Sequence, residues 1–134
     1  MATVTDFVDL QIWQDARQLA KQVYAVTNGS AFAQDYRFCS QIRAAVGSIM
    51  DNIAEGFNRD GNKEFLQFLY IAKGSCGEVK SQLYRAHDVD YIDEDAFNNL
   101  MTSVNKMNMA LFNFIQYLKA AEIKGSKYRT NPKS

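Results

Sequence analysis

Proline is nearly missing from these 134 residues: the one example is Pro132, so the first 131 positions hold no strong helix breaker and an all-helical chain is favoured. Histidine is as scarce. His87 alone excludes a di-iron site built from two Glu-x-x-His motifs and the paired histidines of His-Glu-x-x-His zinc chemistry. Near a helix end, its expected role is to meet the negative end of the helix dipole. Cys39 and Cys76 lack Cys-x-x-Cys spacing and sit inside amphipathic patterns, which predicts buried thiols in a reducing compartment in preference to a disulfide. Net charge is also lacking, with 15 basic side chains against 15 acidic, so no global field draws the protein to nucleic acid or anionic lipid. No stretch approaches 18 uncharged apolar residues, and the start MATVTDFVDLQIW has no basic segment followed by an apolar one. Neither membrane spanning nor secretion is indicated, and the cytoplasm is expected.

What is present is helical periodicity. Ile12, Ala16, Leu19, Val23 and Val26 step by 4, 3, 4 and 3, on a helix that Asp9 can cap and Asn28 with Gly29 can close. Cys39, Ile42, Val46, Ile49 and Ile53 give a second stripe, on a helix from about Gln34 to the turn at 56–61. Asn62 is the expected cap of a third helix, with Phe65, Leu69, Ala72, Cys76, Val79, Leu83 and Ala86 in register until Asp88. Asp93 opens a fourth, where Glu94 and Asp95 suit the positive end of the dipole and Phe97, Leu100, Val104, Met107, Leu111, Phe114 and Leu118 form the stripe. Four such helices with short connections predict an all-α, antiparallel up-down-up-down four-helix bundle, because each stripe needs a neighbouring stripe to cover it.

Charge is unevenly placed. Residues 119–134 hold Lys119, Lys124, Lys127, Arg129 and Lys133 against Glu122 alone, a net +4, which leaves −4 on residues 1–118. Residues 124–134 have no apolar period and read as a flexible basic C-terminal tail on a bundle domain of residues 1–123. Two further features go beyond a generic bundle. Gly47 with Ser48 and Gly74 with Ser75 come level across the second and third helices, and interior glycines at that level predict close backbone approach. The run Phe65 to Ala72 is apolar nearly all round, so Leu66, Phe68, Tyr70 and Ile71 predict a second buried surface, most simply another subunit.

Several segments carry a family resemblance: Gln41-Ile42-Arg43 through Ser48-Ile49, Asn52-Ile53-Ala54-Glu55-Gly56, and Phe68-Leu69 with Ala72-Lys73-Gly74-Ser75 and Glu78. Phe7, Asp9-Leu10, Trp13, Ala16 and Asp90-Tyr91-Ile92 extend it over about residues 5 to 120. In these the chain resembles the four-helix bundle proteins of the 23S ribosomal RNA intervening-sequence family. That family is named for the genomic location of its reading frames within inserts of ribosomal RNA genes. The resemblance implies a cytosolic bundle commonly assembled as a homopentamer. A related branch includes the strongly basic accessory protein of diversity-generating retroelements, which binds nucleic acid and a reverse transcriptase. Ala44 departs from the pattern where a second basic residue often stands, and Met50 where proline often does. The residues mapped by motif are Gln41, Arg43, Ser48, Asn52, Glu55, Gly56, Gly74, Ser75 and Glu78, and the resemblance implies more structural than chemical roles for them. Asn52 and Glu55 suit a satisfied polar network, and Glu55 with Arg59 an i, i+4 pair.

Other motifs fail on chemistry. Gly56-x-x-x-x-Gly61 has Asn62 where a phosphate loop needs lysine, and a helix before it where a strand is required. Asp93-Glu94-Asp95 is a helix start, and Met101, Met107 and Met109 suit core and edge positions. No catalytic, cofactor or metal residues are assigned. The favoured expectation is a non-enzymatic oligomeric scaffold that binds a macromolecule, RNA or an RNA-associated protein, with Lys119, Lys124, Lys127, Arg129 and Lys133 as RNA contacts. The alternative is a small-molecule or enzymatic pocket between subunits, built from Arg43, Asn52, Glu55, Lys73 and Glu78.

Overall fold

Apolar spacing of 3 and 4 becomes four long helices and one short one in the computed structural model, which describes residues 4–123. They are α1 (Gln11–Thr27), α2 (Ser30–Gln34), α3 (Tyr36–Phe57), α4 (Asn62–Asp88) and α5 (Glu94–Ile123), preceded by a 3₁₀ turn at Phe7–Asp9. No strand occurs among the described residues, so the protein is all-α. Residues 124–134, the expected tail with its four basic residues Lys124, Lys127, Arg129 and Lys133, lie outside the described part.

The core is made from the stripes read in the sequence. Every member of the α3 and α4 stripes is buried, as are the α5 residues from Leu100 to Leu118. Phe97 is half-buried, and in α1 Thr27 is buried where Val26 is only half so. Burying each large apolar side chain contributes about 1.5 to 3 kcal/mol, which far exceeds the helix propensity differences along the chain. Packing is closest for α3 on α4 and α4 on α5, and α1 closes the ring of contacts by touching α3 and α5.

Helix ends depart from the sequence expectations in three places. Asp9 does not cap α1. It lies in the 3₁₀ turn, which Asp6 caps by accepting from Val8 N at 3.1 Å, and fully buried Leu10 is the N-cap residue of α1. Burial of Leu10 and the edge-on contact of Phe7 with Trp13 fold this turn against α1. Gln34 ends α2 instead of starting the second long helix. Asp35 breaks the helix at φ −88°, ψ 79° and caps α3 by accepting from Phe38 N at 3.1 Å, while fully buried Phe32 pins α2 to the core. Asn62 is the first residue of α4 and not its cap. Gly61 takes that place at φ 91°, a backbone conformation open to glycine at little cost. Asp93 behaves as expected, accepting from Ala96 N at 2.8 Å.

The glycine expectation is also corrected. A Cβ added at Gly47 or Gly74 would meet nothing within 4 Å, so neither glycine marks a close approach. Their serine neighbours make the contact across the helices. The tight approach is at Gly56, where a Cβ would lie 2.7 Å from Phe68 Cβ and 2.8 Å from Phe65 Cδ1.

Candidate functional site

Along α3, Gln41, Ala44, Ser48, Asp51 and Glu55 step by 3, 4, 3 and 4; along α4, Phe68, Ile71, Ser75, Glu78, Gln82 and Arg85 step by 3, 4, 3, 4 and 3. Each set therefore occupies one side of its helix. The two sides form a seam. Ser75 Oγ donates to Ser48 Oγ at 2.9 Å, and Arg85 Nη2 donates to Gln41 Oε1 at 3.1 Å. Asn52 sits one position inward and donates Nδ2 to Ser48 O at 2.8 Å and to Ser48 Oγ at 2.9 Å. Ser48 is the hub, its hydroxyl accepting from both helices with its two lone pairs.

Six of the nine motif residues meet here or at its edge: Gln41, Ser48, Asn52, Glu55, Ser75 and Glu78. Glu55 accepts from Arg59 Nη2 at 2.7 Å, but both side chains are about half exposed, so the pair contributes only a few tenths of a kcal/mol. The Arg59 guanidinium also lies 5.1 Å from the Phe68 ring centroid. Glu78 is exposed and has no ion-pair or hydrogen-bond partner among the described residues. Gly56 is buried where α3 meets Phe65 and Phe68, whereas Gly74 is exposed on the outer side of α4. Gln82 is buried, and its Oε1 has no hydrogen-bond partner among the described residues.

At one end the seam opens into a cavity of about 270 Å³ lined by Asp35, Arg37, Phe38, Gln41, Arg85, Val89 and Tyr91. Arg85 stacks 4.1 Å from the Phe38 ring centroid. Tyr91 Oη donates to Asp35 Oδ2 at 2.9 Å, and this bond, by holding the phenolic proton, raises the tyrosine above its ordinary pKa. Asp90, beside it, takes φ 62° to turn the chain.

Arg43 goes elsewhere. It donates Nε to Thr27 Oγ1 at 2.9 Å and Nη2 to Asn28 Oδ1 at 3.0 Å, with its guanidinium 4.7 Å from the Tyr24 ring centroid. It fastens the end of α1 to α3, and Cys39 Sγ reinforces that corner by donating to Phe32 O at 3.0 Å. The residues Arg43, Asn52, Glu55, Lys73 and Glu78 therefore do not converge within one chain: Arg43 faces α1, Lys73 lies toward α5, and the other three lie on the seam. Sequence reasoning missed Thr27 and Asp35, and saw Asn28 only as a helix end and not as a partner of Arg43, because these contacts span 15 to 56 residues, beyond any local period.

Leu66, Phe68, Tyr70 and Ile71 do not make one face. Phe68 and Ile71 belong to the seam, while Leu66, Tyr70, Lys73, Gly77, Lys80, Tyr84 and His87 step by 4, 3, 4, 3, 4 and 3 along the opposite flank of α4. That flank faces α5. Lys119 Nζ lies 5.7 Å from the Tyr70 ring centroid, and Phe97 meets Tyr84 edge-on at 5.3 Å. His87 stacks on Phe97 at 4.3 Å and its Nε2 lies 2.8 Å from Glu94 Oε2, so a side-chain partner joins whatever the helix dipole supplies. Between these flanks Cys76 is buried, donating to Val104 O at 3.5 Å, and burial pushes its thiol up to about 11 against the opposing pull of Lys73 and Lys80. It is a protonated core thiol at neutral pH.

Among the described residues no group of three or more His, Cys, Asp or Glu is placed to hold a metal ion, and no helix is long and apolar enough to cross a membrane. No match is found among curated proteins. A crystal structure of a protein with unknown function from the S23 ribosomal protein family of Bacteroides thetaiotaomicron shares the fold, with a TM-score of 0.73 and 18% identity over 78% of this chain and 98% of that one. The family model described as 23S rRNA-intervening sequence protein matches residues 8–113, the span that holds both helices of the seam. The chain belongs to the 23S rRNA-intervening sequence protein family.

Proposed function

We propose that the protein is a non-enzymatic scaffold: an up-down-up-down four-helix bundle that assembles with copies of itself, five in the homopentamer the family resemblance implies, and holds RNA or an RNA-associated protein in the cytoplasm. Side-chain pairs favour the alternating helix directions. Gln41 meets Arg85, Ser48 meets Ser75 and Gly56 adjoins Phe65, so numbers rise on α3 as they fall on α4. Phe65 with Phe114, Cys76 with Val104 and Tyr84 with Phe97 repeat the relation between α4 and α5.

Exposed apolar surface on both flanks of α4 carries the functional reading. Ile71 is 52% exposed on the seam side, and Tyr70 and Tyr84 are 47% and 50% exposed on the other. Large side chains left open along both sides of one helix mark surfaces that associate. The motif residues support a structural role, since Gln41, Arg43, Ser48, Asn52, Glu55 and Ser75 are engaged by neighbouring protein groups. The basic residues 119–134 supply the positive charge for phosphate, and a ring would multiply that charge through effective concentration.

Light scattering tests the assembly: the mass should be several times 15.2 kDa, and a monomer at micromolar concentration would remove the scaffold. Titrating labelled single-stranded RNA against the full chain and a truncation after Ile123, at two salt concentrations, tests the partner. Binding should be salt-sensitive, sequence-tolerant and largely lost on truncation. Equal binding by both proteins would place the site in the body, and binding by neither would turn the reading toward a protein partner.

A further inference from the structure

The two flanks of α4 differ in charge as well as in composition. Toward α5, Tyr70, Lys73, Gly77, Lys80 and Tyr84 give a symmetrical stripe about 21 Å long at 1.5 Å per residue, with an open glycine at its centre. Lys73 and Lys80 have no ion pair among the described residues, and no acid lies on this side of α4 between 66 and 87. On α5, Lys119 and the 46% exposed Phe112 adjoin the stripe, and acids stand only at its ends, Glu94 beside His87 and Glu122. The seam carries both signs, with Arg59 on Glu55 near one end and Arg85 on Gln41 at the other. Between those ends Asp51 and Glu78 have no ion-pair partner among the described residues and Ile71 is exposed, so the open charge there is acidic.

We infer that a second copy of this chain docks its basic aromatic stripe onto the acidic seam, so that each subunit gives one flank of α4 to each neighbour. This rests on the self-association proposed above and names its surfaces. Charge complementarity favours this pairing, because stripe against stripe would set Lys73 and Lys80 against their own copies, whereas the seam offers Asp51 and Glu78 without ion pairs of their own. The contact is heterologous, joining different patches, and such contacts close into rings when the rotation allows. Geometry allows it here. The α3–α4 and α4–α5 sides are adjacent in the ring of helix contacts, so their outward directions differ by roughly a right angle. A wedge of about 70 to 90° closes with four or five copies, α4 pointing toward the axis.

Sedimentation of the full chain and three variants tests this. Wild type should be an oligomer whose mass falls as salt rises. Lys73→Glu with Lys80→Glu should sediment as the monomer with unchanged helical circular dichroism, and Asp51→Lys with Glu78→Lys should do the same. All four substitutions in one chain reverse both surfaces and should restore the wild-type mass. A monomeric wild type would sink self-association and this inference together. An oligomeric wild type that is indifferent to the lysine pair or to salt would sink only the surfaces named here, as would a fourfold variant that stays monomeric. Loss of RNA retention in the lysine variant with no change in mass would assign the stripe to nucleic acid and overturn the docking.

Discussion

Adding one methyl group at Gly56 should lower stability even though alanine is the better helix former. The added Cβ would lie 2.7 Å from Phe68 Cβ and 3.3 Å from Phe65 O, atoms fixed to the backbone of α4 that cannot swing away. The third neighbour, Phe65 Cδ1 at 2.8 Å, belongs to a buried ring packed on Phe57 and Phe114. Relief therefore requires α3 and α4 to separate at this level. Overpacking of this kind costs about 1 to 3 kcal/mol, against a propensity gain of up to about 1 kcal/mol. Contacts at 2.7 and 2.8 Å put the cost at the upper end, about 2 to 3 kcal/mol, so the net loss is about 1 to 2 kcal/mol, a fall in Tm of roughly 3 to 10 °C for a chain of this size. Gly47→Ala and Gly74→Ala are the controls. With nothing within 4 Å of either added Cβ, both should keep the propensity gain and melt at or above wild type. Thermal melts followed by helical circular dichroism read all three. A Gly56→Ala protein as stable as wild type, or a Gly74→Ala protein that loses more, would refute the packing argument.

Other expectations concern the polar contacts. A double-mutant cycle of Ser48→Ala and Ser75→Ala should give a coupling of about 0.5 to 1.5 kcal/mol in urea unfolding, with Ser48→Ala the costlier single change because it also removes one of the two bonds that Asn52 donates. Arg43→Lys should destabilise by about 1 to 2 kcal/mol despite keeping the charge, since an ammonium cannot reproduce the fork that meets Thr27 and Asn28; equal denaturation midpoints would show the clamp to be idle. Cys76 is protonated in the fold up to about 11, whereas the unfolded thiol ionises near 9.0, so the unfolded state holds fewer protons between those values. Its contribution to stability should be full below pH 9, fall as pH rises toward 11 and then level off. Comparing the pH dependence of urea midpoints for wild type and Cys76→Ala isolates that component, and parallel curves through the window would contradict it.

The α4 stripe from Phe65 to Ala86 was legible in sequence residue by residue, because a helix turns about 100° per position and burial repeats with that period. The same rule located the start of α5 at Asp93 and the thiols in the core, each a consequence of local spacing or residue type. Its limits are equally physical. Asp35 and Asn62 are both good capping residues, and which of them caps depended on Phe32 being drawn into the core and on Gly61 reaching positive φ. The run from Phe65 to Ala72 shows surplus apolar side chains, but a one-dimensional pattern cannot say that Phe68 lies against α3 with Ile71 exposed on the same side, while Leu66 and Tyr70 lie toward α5. Helical periodicity is local and determined the elements and the side each one buries. Only tertiary packing decided the partners: Arg43 with Thr27, Ser48 with Ser75, and Gly56 under Phe68, since each joins residues brought together by the crossing of helices and not by their spacing along the chain.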